Sequence, residues 1–298
     1  MQISGTIPPM VTPTLARDGG VDVPTLRSFT GSLVDGGVHA LFPNGSAGEF
    51  SSLTRAERRT VVETVVETAD GTPVIAGCGG TSVGDVLAGI DDAAEAGADA
   101  AVVVTPYYLS TRQSGLREFY ETVATRSPLP VVLYNIPQLT GVSLDVETVT
   151  ALSDHDDIVG IKDSSGGATY HFRLVENTPE DFSVVQGITT LATASLDAGS
   201  DGIVTGTANV FPGAMVDLYD AHVAGDRDRA ARLLKDVVIP VSAGHDGIPT
   251  AVAMKYLVRR GGTDVGPPLL PLPELSAEEE RRLGDAYDAV VGRLEATG

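Results

Sequence analysis

Lys162 closes the apolar run Ile158-Val159-Gly160-Ile161, so strand phase sets its side chain at or just inside one rim of a sheet. An ammonium taken out of water without a paired charge is costly, and a desolvated lysine gives up its proton more readily. A neutral amine beside a ketone is what Schiff-base formation requires. A pair with Asp163 at the strand exit is the alternative reading, and it is the weaker one in a chain that uses only three lysines, Lys162, Lys235 and Lys255. Tyr134 closes the preceding apolar run within Leu133-Tyr134-Asn135-Ile136-Pro137. Taken alone it reads as a core aromatic with a bonded hydroxyl. Beside a reactive lysine, its phenol could relay protons during carbonyl addition and loss of water.

Other short segments carry weaker signals. In Gly45-Ser46-Ala47-Gly48-Glu49, small residues let backbone N–H groups point into a concavity, and Ser46 adds a hydroxyl, which together suit a carboxylate. The segment lacks the lysine or the G-x-G-x-x-G of a nucleotide loop. Gly77-Cys78-Gly79-Gly80 fails the same test and reads as a tight strand exit. Thr105-Pro106-Tyr107-Tyr108 places two tyrosines at a strand end, fit for a pocket or an interface. The five histidines, His39, His155, His171, His222 and His245, show no metal-ligand spacing. Metal-dependent aldol chemistry is therefore disfavoured, and no G-x-S-x-G elbow supports a serine hydrolase.

The elements that must position these groups alternate. Short apolar runs occur at 7–11, 38–42, 73–76, 100–105, 131–134, 158–162, 183–185 and 202–205, with helix-period segments between them. From 54 to 70, Val61, Val62, Val65 and Val66 form a stripe opposite Arg58, Glu63 and Glu67, and Thr54 with Glu57 makes a capping box at its start. Gly37, Gly97 and Gly199 recur at equivalent places, each closing a helix just before the chain re-enters the sheet. Eight such units within the first 225 residues predict an α/β fold, a (β/α)8 TIM barrel, with an open doubly wound sheet as the alternative. Residues 208–223, 226–238, 248–260 and 276–296 read as helices, with Ser276 and Glu279 as a second capping box and 266–273 as an extended linker. The expected division is a catalytic barrel over 1–225 and a C-terminal helical region over 226–298.

Composition bounds the partners. Forty Asp and Glu against 20 Lys and Arg give a net charge of −20, a field that repels nucleic acid and anionic lipid. The longest apolar stretches fall well short of the roughly 20 residues of a membrane span. Without a basic leader and with one cysteine, Cys78, the chain reads as cytoplasmic. The Lys-poor, Asp-rich balance is similar to that of proteins from a salt-loving cytoplasm.

In order along the chain, Gly45-Ser46-Ala47-Gly48-Glu49, Thr105-Pro106-Tyr107-Tyr108, Tyr134-Asn135-Ile136-Pro137 and Gly160-Ile161-Lys162-Asp163 resemble the rim motifs of the dihydrodipicolinate synthase / N-acetylneuraminate lyase family of class I aldolases. The resemblance spans roughly residues 5–260. It implies a barrel with a C-terminal helical region, a homotetramer built as a dimer of dimers, and no cofactor beyond the covalent imine. It further implies that Lys162 forms that imine with pyruvate or another 2-keto acid, that Tyr134 shuttles protons, and that Gly45, Ser46 and Ala47 hold the substrate carboxylate. Tyr108 matches the tyrosine that crosses the dimer interface, and Gly187 and Val204 match pocket positions.

Departures from the pattern bear on the substrate. Leu139 stands where the lysine-biosynthesis branch has an arginine for the aspartate semialdehyde carboxylate, and Ala47 stands where a second hydroxyl residue is common. The expectation is an aldolase that cleaves a 2-keto-3-deoxy sugar acid, 2-keto-3-deoxygluconate or its 6-phosphate, to pyruvate and glyceraldehyde or its phosphate. Arg112 is the candidate phosphate contact, with a solvated surface arginine as the other reading. 4-Hydroxy-tetrahydrodipicolinate synthase, N-acetylneuraminate lyase, a keto-deoxy acid dehydratase and a non-catalytic sugar-acid binding protein are the alternatives.

Overall fold

The computed structural model describes residues 1–297. The barrel strands in chain order are β1 (Gly5–Ile7), β4 (Ile75–Gly77), β5 (Ala100–Val104), β6 (Val131–Asn135), β7 (Ile158–Asp163), β8 (Ser183–Gln186) and β9 (Gly202–Val204), while β2 (Thr14–Ala16) and β3 (Gly19–Val21) form a separate antiparallel hairpin. All seven barrel strands run parallel, in the order β1-β9-β8-β7-β6-β5-β4. The ring closes through residues 41–42, where the expected second strand is reduced to parallel bridges, Pro9 with Phe42 and Leu41 with Val74. The result is the expected TIM barrel. Its first strand begins earlier than the apolar run suggests, at Gly5, and the hairpin is an element that the periodicity did not show.

Helices α1 (Val23–Asp35), α2 (Arg55–Thr68), α3 (Val83–Ala96), α4 (Gln113–Arg126), α5 (Pro137–Thr140), α6 (Val146–Leu152), α7 (Ala168–Asn177), α8 (Ala192–Asp197) and α9 (Pro212–Val223) connect and cover the strands. Their starts follow side-chain chemistry. Both hydrogen bonds of the Thr54–Glu57 capping box are made, Ser82 accepts from the Asp85 amide at the head of α3, and Asp22 accepts from Thr25 at the head of α1. Gly37, Gly97 and Gly199 take left-handed φ of 78°, 91° and 102°, which turns the chain back toward the sheet.

Period-2 alternation splits the strands between two apolar cores. On β5 and β6, Val102, Val104, Val132 and Tyr134 face the barrel interior, where Phe42, Ile75 and Val204 also pack. Ala101, Val103, Val131 and Leu133 face the helices. On β7, Ile161 lies in the outer layer, so Lys162 falls on the inner face and Asp163 on the outer. Each fully buried aliphatic side chain of these layers contributes about 1.5–3 kcal/mol.

Beyond β9 come α10 (Arg227–Leu233), a π-helical turn over Leu234–Val238, α11 (Ile239–Gly244), α12 (Thr250–Arg260) and α13 (Ala277–Thr297). The Ser276–Glu279 capping box forms at the head of α13. The segment expected to be an extended linker is instead a strap bonded to the hairpin. Thr14 N–H donates to Val265 O at 3.1 Å, Leu270 N–H to Arg17 O at 2.8 Å, and the Arg17 guanidinium to Leu272 O at 2.7 Å. Among the described residues, no helix is long and apolar enough to cross a membrane.

Candidate active site

Tyr134 and Lys162 are direct register partners on the neighbouring strands β6 and β7. Both are nearly sealed from bulk solvent, at 4% and 5% exposure. Lys162 Nζ lies 3.9 Å from the centroid of the Tyr134 ring and 4.8 Å from that of Phe42, and the two rings meet edge to face at 77°. Among the described residues, no carboxylate stands within 4.0 Å of this amine; its close neighbours are π faces. Aromatic faces tolerate an ammonium without fixing it in an ion pair, which leaves the nitrogen free to act on a carbonyl.

Asp163, the alternative partner, is engaged on the outer face. Its carboxylate accepts from Ser165 N–H at 2.9 Å, Asn135 Nδ2 at 3.3 Å and His171 Nδ1 at 3.1 Å. On its other side, His171 Nε2 lies 2.6 Å from Ser200 Oγ, with the imidazole fully buried. These bonds tie the residue after Tyr134 to the residue after Lys162. They link the strands that carry Tyr134 and Lys162 on the face away from the barrel interior.

In front of the amine, a cavity of about 620 Å³ opens at the C-terminal ends of the strands, within the usual range of small-molecule sites. Lys162, Tyr134, Ser46, Ala47, Gly187 and Val204 all line it. The loop of Ser46 and Ala47 is closed by its own bonds, Gly48 N–H to Gly45 O at 3.0 Å and Glu49 N–H to Ser46 O at 3.2 Å. A Cβ at Gly187 would stand 2.0 Å from Ser164 Oγ and 3.0 Å from Asp163 O, so a larger residue there would displace the Ser164 side chain. Gly45 lies outside the cavity lining, and a Cβ there would stand 3.1 Å from Phe42 Cζ.

Residues 2–290 match the dihydrodipicolinate synthetase family. The chain is 36% identical over 284 residues, 95% of its length and 94% of the relative's, to the 4-hydroxy-tetrahydrodipicolinate synthase of Methanopyrus kandleri. It is 38% identical over 282 residues, 94% of its length and 92% of the relative's, to an uncharacterised DapA-like lyase of Halobacterium salinarum. Among solved structures, dihydrodipicolinate synthase DapA-2 from Bacillus anthracis superposes with a TM-score of 0.91 at 31% identity, over 97% of this chain and 99% of that one. YagE from E. coli K12, a prophage protein of the same family solved in complex with pyruvate, gives 0.91 at 30% identity, over 97% and 98%. The chain belongs to the dihydrodipicolinate synthetase family. Its members are class I, pyruvate-dependent lyases that carry substrate as a Schiff base on a lysine, without metal or external cofactor, and the buried lysine facing this cavity is Lys162.

Besides Gly45, two further candidate residues of this family member do not line the cavity. Tyr108 is 92% exposed, with a left-handed φ of 80°, and borders a separate hollow with Thr111, Gly141 and Asp145; its neighbour Tyr107 lines the lysine cavity. Arg112 is exposed at the head of α4 and lines neither cavity, so the structure does not bring this guanidinium to the site. Leu139, 66% exposed, forms part of the wall together with Gln138, Thr140 and Thr250. Sequence reasoning passed over Phe42, which packs against the amine, and the wall residues Pro271 and Leu272 of the strap. Phe42 sits at the end of the apolar run 38–42 in the inner phase, a signal by which it could have been found.

Proposed function

We propose that this enzyme cleaves a 2-keto-3-deoxy sugar acid of the 2-keto-3-deoxygluconate type to pyruvate and glyceraldehyde. The Lys162 amine adds to the C2 ketone, and water leaves to give a protonated imine. The C3–C4 bond then breaks, its electron pair passing into the imine as an enamine while the C4 hydroxyl proton is taken up through Tyr134. Glyceraldehyde departs, C3 is protonated, and water returns to C2 to free pyruvate and the amine. The Ser46–Ala47 loop holds the carboxylate beside C2, with Ser46 and the backbone amides as donors.

The observation that carries the sugar-acid reading is the polar lining of the cavity. Apart from Lys162 and the ion-paired Glu49, its polar side chains, among them Gln138, Thr140, Thr250, Ser51 and Ser52, are neutral, and Leu139 stands where a second carboxylate would need a bidentate arginine. Neutral amide and hydroxyl groups match the hydroxyls of a sugar chain. The exposed position of Arg112 favours the unphosphorylated acid. The second reading, 4-hydroxy-tetrahydrodipicolinate synthase, is favoured by the 36% identity to a relative of that name. Turnover in molar KCl on a panel of keto-deoxy acids, beside pyruvate with aspartate semialdehyde, separates them. Pyruvate and glyceraldehyde from 2-keto-3-deoxygluconate are the expected products; 2-ketoglutarate semialdehyde without pyruvate, formed from a five-carbon 2-keto-3-deoxy acid by loss of water, marks a dehydratase, and condensation with aspartate semialdehyde marks the synthase.

The same proposal covers assembly and setting. Tyr108, held out from its own cavity, reaches the site of a second copy in a tight dimer, and two dimers form a tetramer. The charge of −20 with only three lysines reads as adaptation to a salt-rich cytoplasm.

A further inference from the structure

We propose that Glu49 and Lys255 are positioning residues for substrate binding, a buried ion pair that sets the carboxylate-holding loop against the strap and α12. The inference rests on the imine reading above. Glu49 ends the Gly45–Glu49 loop in a left-handed conformation, φ 57°, which a residue other than glycine rarely adopts without being held. Its side chain is fully buried and lies 2.6 Å from Lys255 Nζ, itself fully buried. Its other oxygen accepts from Leu269 N–H of the strap at 2.5 Å. Lys255 also donates to Thr14 Oγ1 at 2.9 Å and to Pro267 O at 2.8 Å, and Thr14 Oγ1 donates to Pro267 O at 2.6 Å. Burial outweighs the facing carboxylate and pushes the Lys255 ammonium below its usual pKa range.

Three of the segments that this cluster joins, the loop, the strap and α12, reach the cavity. Ser46 and Ala47 precede Glu49, Pro271 and Leu272 follow Leu269, and Ala251 lies one turn before Lys255 on the same face of α12. A buried ion pair is a poor source of stability compared with a well-packed apolar pair, but it demands one geometry. Here that geometry fixes the loop's exit, and hence where the Ser46 and Ala47 amides point. Neither Glu49 nor Lys255 takes part in proton transfer or imine chemistry.

Borohydride trapping titrated with pyruvate tests this. In Glu49→Gln, half-saturating pyruvate should rise about tenfold, the equivalent of one charge-assisted hydrogen bond, with complete trapping still reached at saturation. Thr14→Val, which leaves both charges paired, should shift it about threefold. A purely structural role would lower the melting temperature and leave half-saturation at the wild-type value, and that result in folded Glu49→Gln overturns the proposal. If Glu49→Gln does not fold, Thr14→Val decides by the same criterion. A wild type that pyruvate and borohydride do not modify sinks the imine reading itself, and this inference with it.

Discussion

Two lysines are buried in this enzyme, at 5% and 0% exposure, and they are buried in opposite ways. Lys162 meets aromatic faces and an open cavity, with no carboxylate within 4.0 Å among the described residues. Lys255 meets a carboxylate, a hydroxyl and a carbonyl, all within 2.9 Å. The first arrangement leaves an amine free to react. The second surrounds the ammonium with three fixed polar partners and leaves nothing for chemistry. Burial alone therefore does not mark a catalytic lysine; the lack of a fixed partner, beside a cavity, does.

The sharpest way to break this contrast is to remove each amine. Lys162→Ala should abolish borohydride trapping and lower kcat on the order of 10⁴-fold or more, as loss of a covalent nucleophile does. Lys255→Ala should still be trapped wherever it remains folded. Mass spectrometry after reduction with pyruvate reads both. If Lys162→Ala still acquires the adduct, the two lysines have been assigned the wrong way round. Tyr134→Phe comes next, with kcat lower by about 10²–10⁴-fold. Trapping should still reach completion, though more slowly, because in the proposed mechanism the phenol moves protons and does not form the bond.

Stability reverses the ranking. Lys255→Met strands the Glu49 carboxylate and should cost about 3–5 kcal/mol in denaturant unfolding. Lys162→Met removes an ammonium without an ionic partner and should be neutral or stabilising, in line with active sites that trade stability for function. Equal losses from the two variants would show that Lys162 has a structural partner after all.

Lys162 and Tyr134 were legible because strand phase is a local property. A period of two and the end of each apolar run suffice to set both side chains inward at one rim. The Gly45–Glu49 loop and Gly187 were legible as motif positions of the family resemblance. The Glu49–Lys255 pair was not, since the residues lie far apart in the chain and neither sits in a periodic pattern that points at the other. The strap hid for a related reason. A proline-rich segment carries no hydrophobic period, so its bonds to Arg17 and Thr14 exist only once the barrel has folded. The second barrel strand was called from its apolar run, but its reduction to two bridges depends on its neighbours' geometry.

Salt gives the smallest effect and the finest test of the contrast between buried and exposed charge. On the outer surface, Arg59 bonds Glu63 at 2.8 Å and Glu95 at 2.8 Å and approaches Asp92 at 3.3 Å, in a network open to solvent. Counter-ions reach such a network, and the Debye length falls from about 10 Å at 0.1 M to about 3 Å at 1 M. The stability lost in Arg59→Met should therefore shrink across that range of KCl. The Lys255–Glu49 pair excludes both water and ions, so the loss in Lys255→Met should stay constant over the same range. Parallel unfolding curves of the two variants at several salt concentrations measure the difference. A loss in Lys255→Met that fades as the Arg59→Met loss does would show that ions reach the pair, and a pair open to ions could not hold the carboxylate loop in a single geometry.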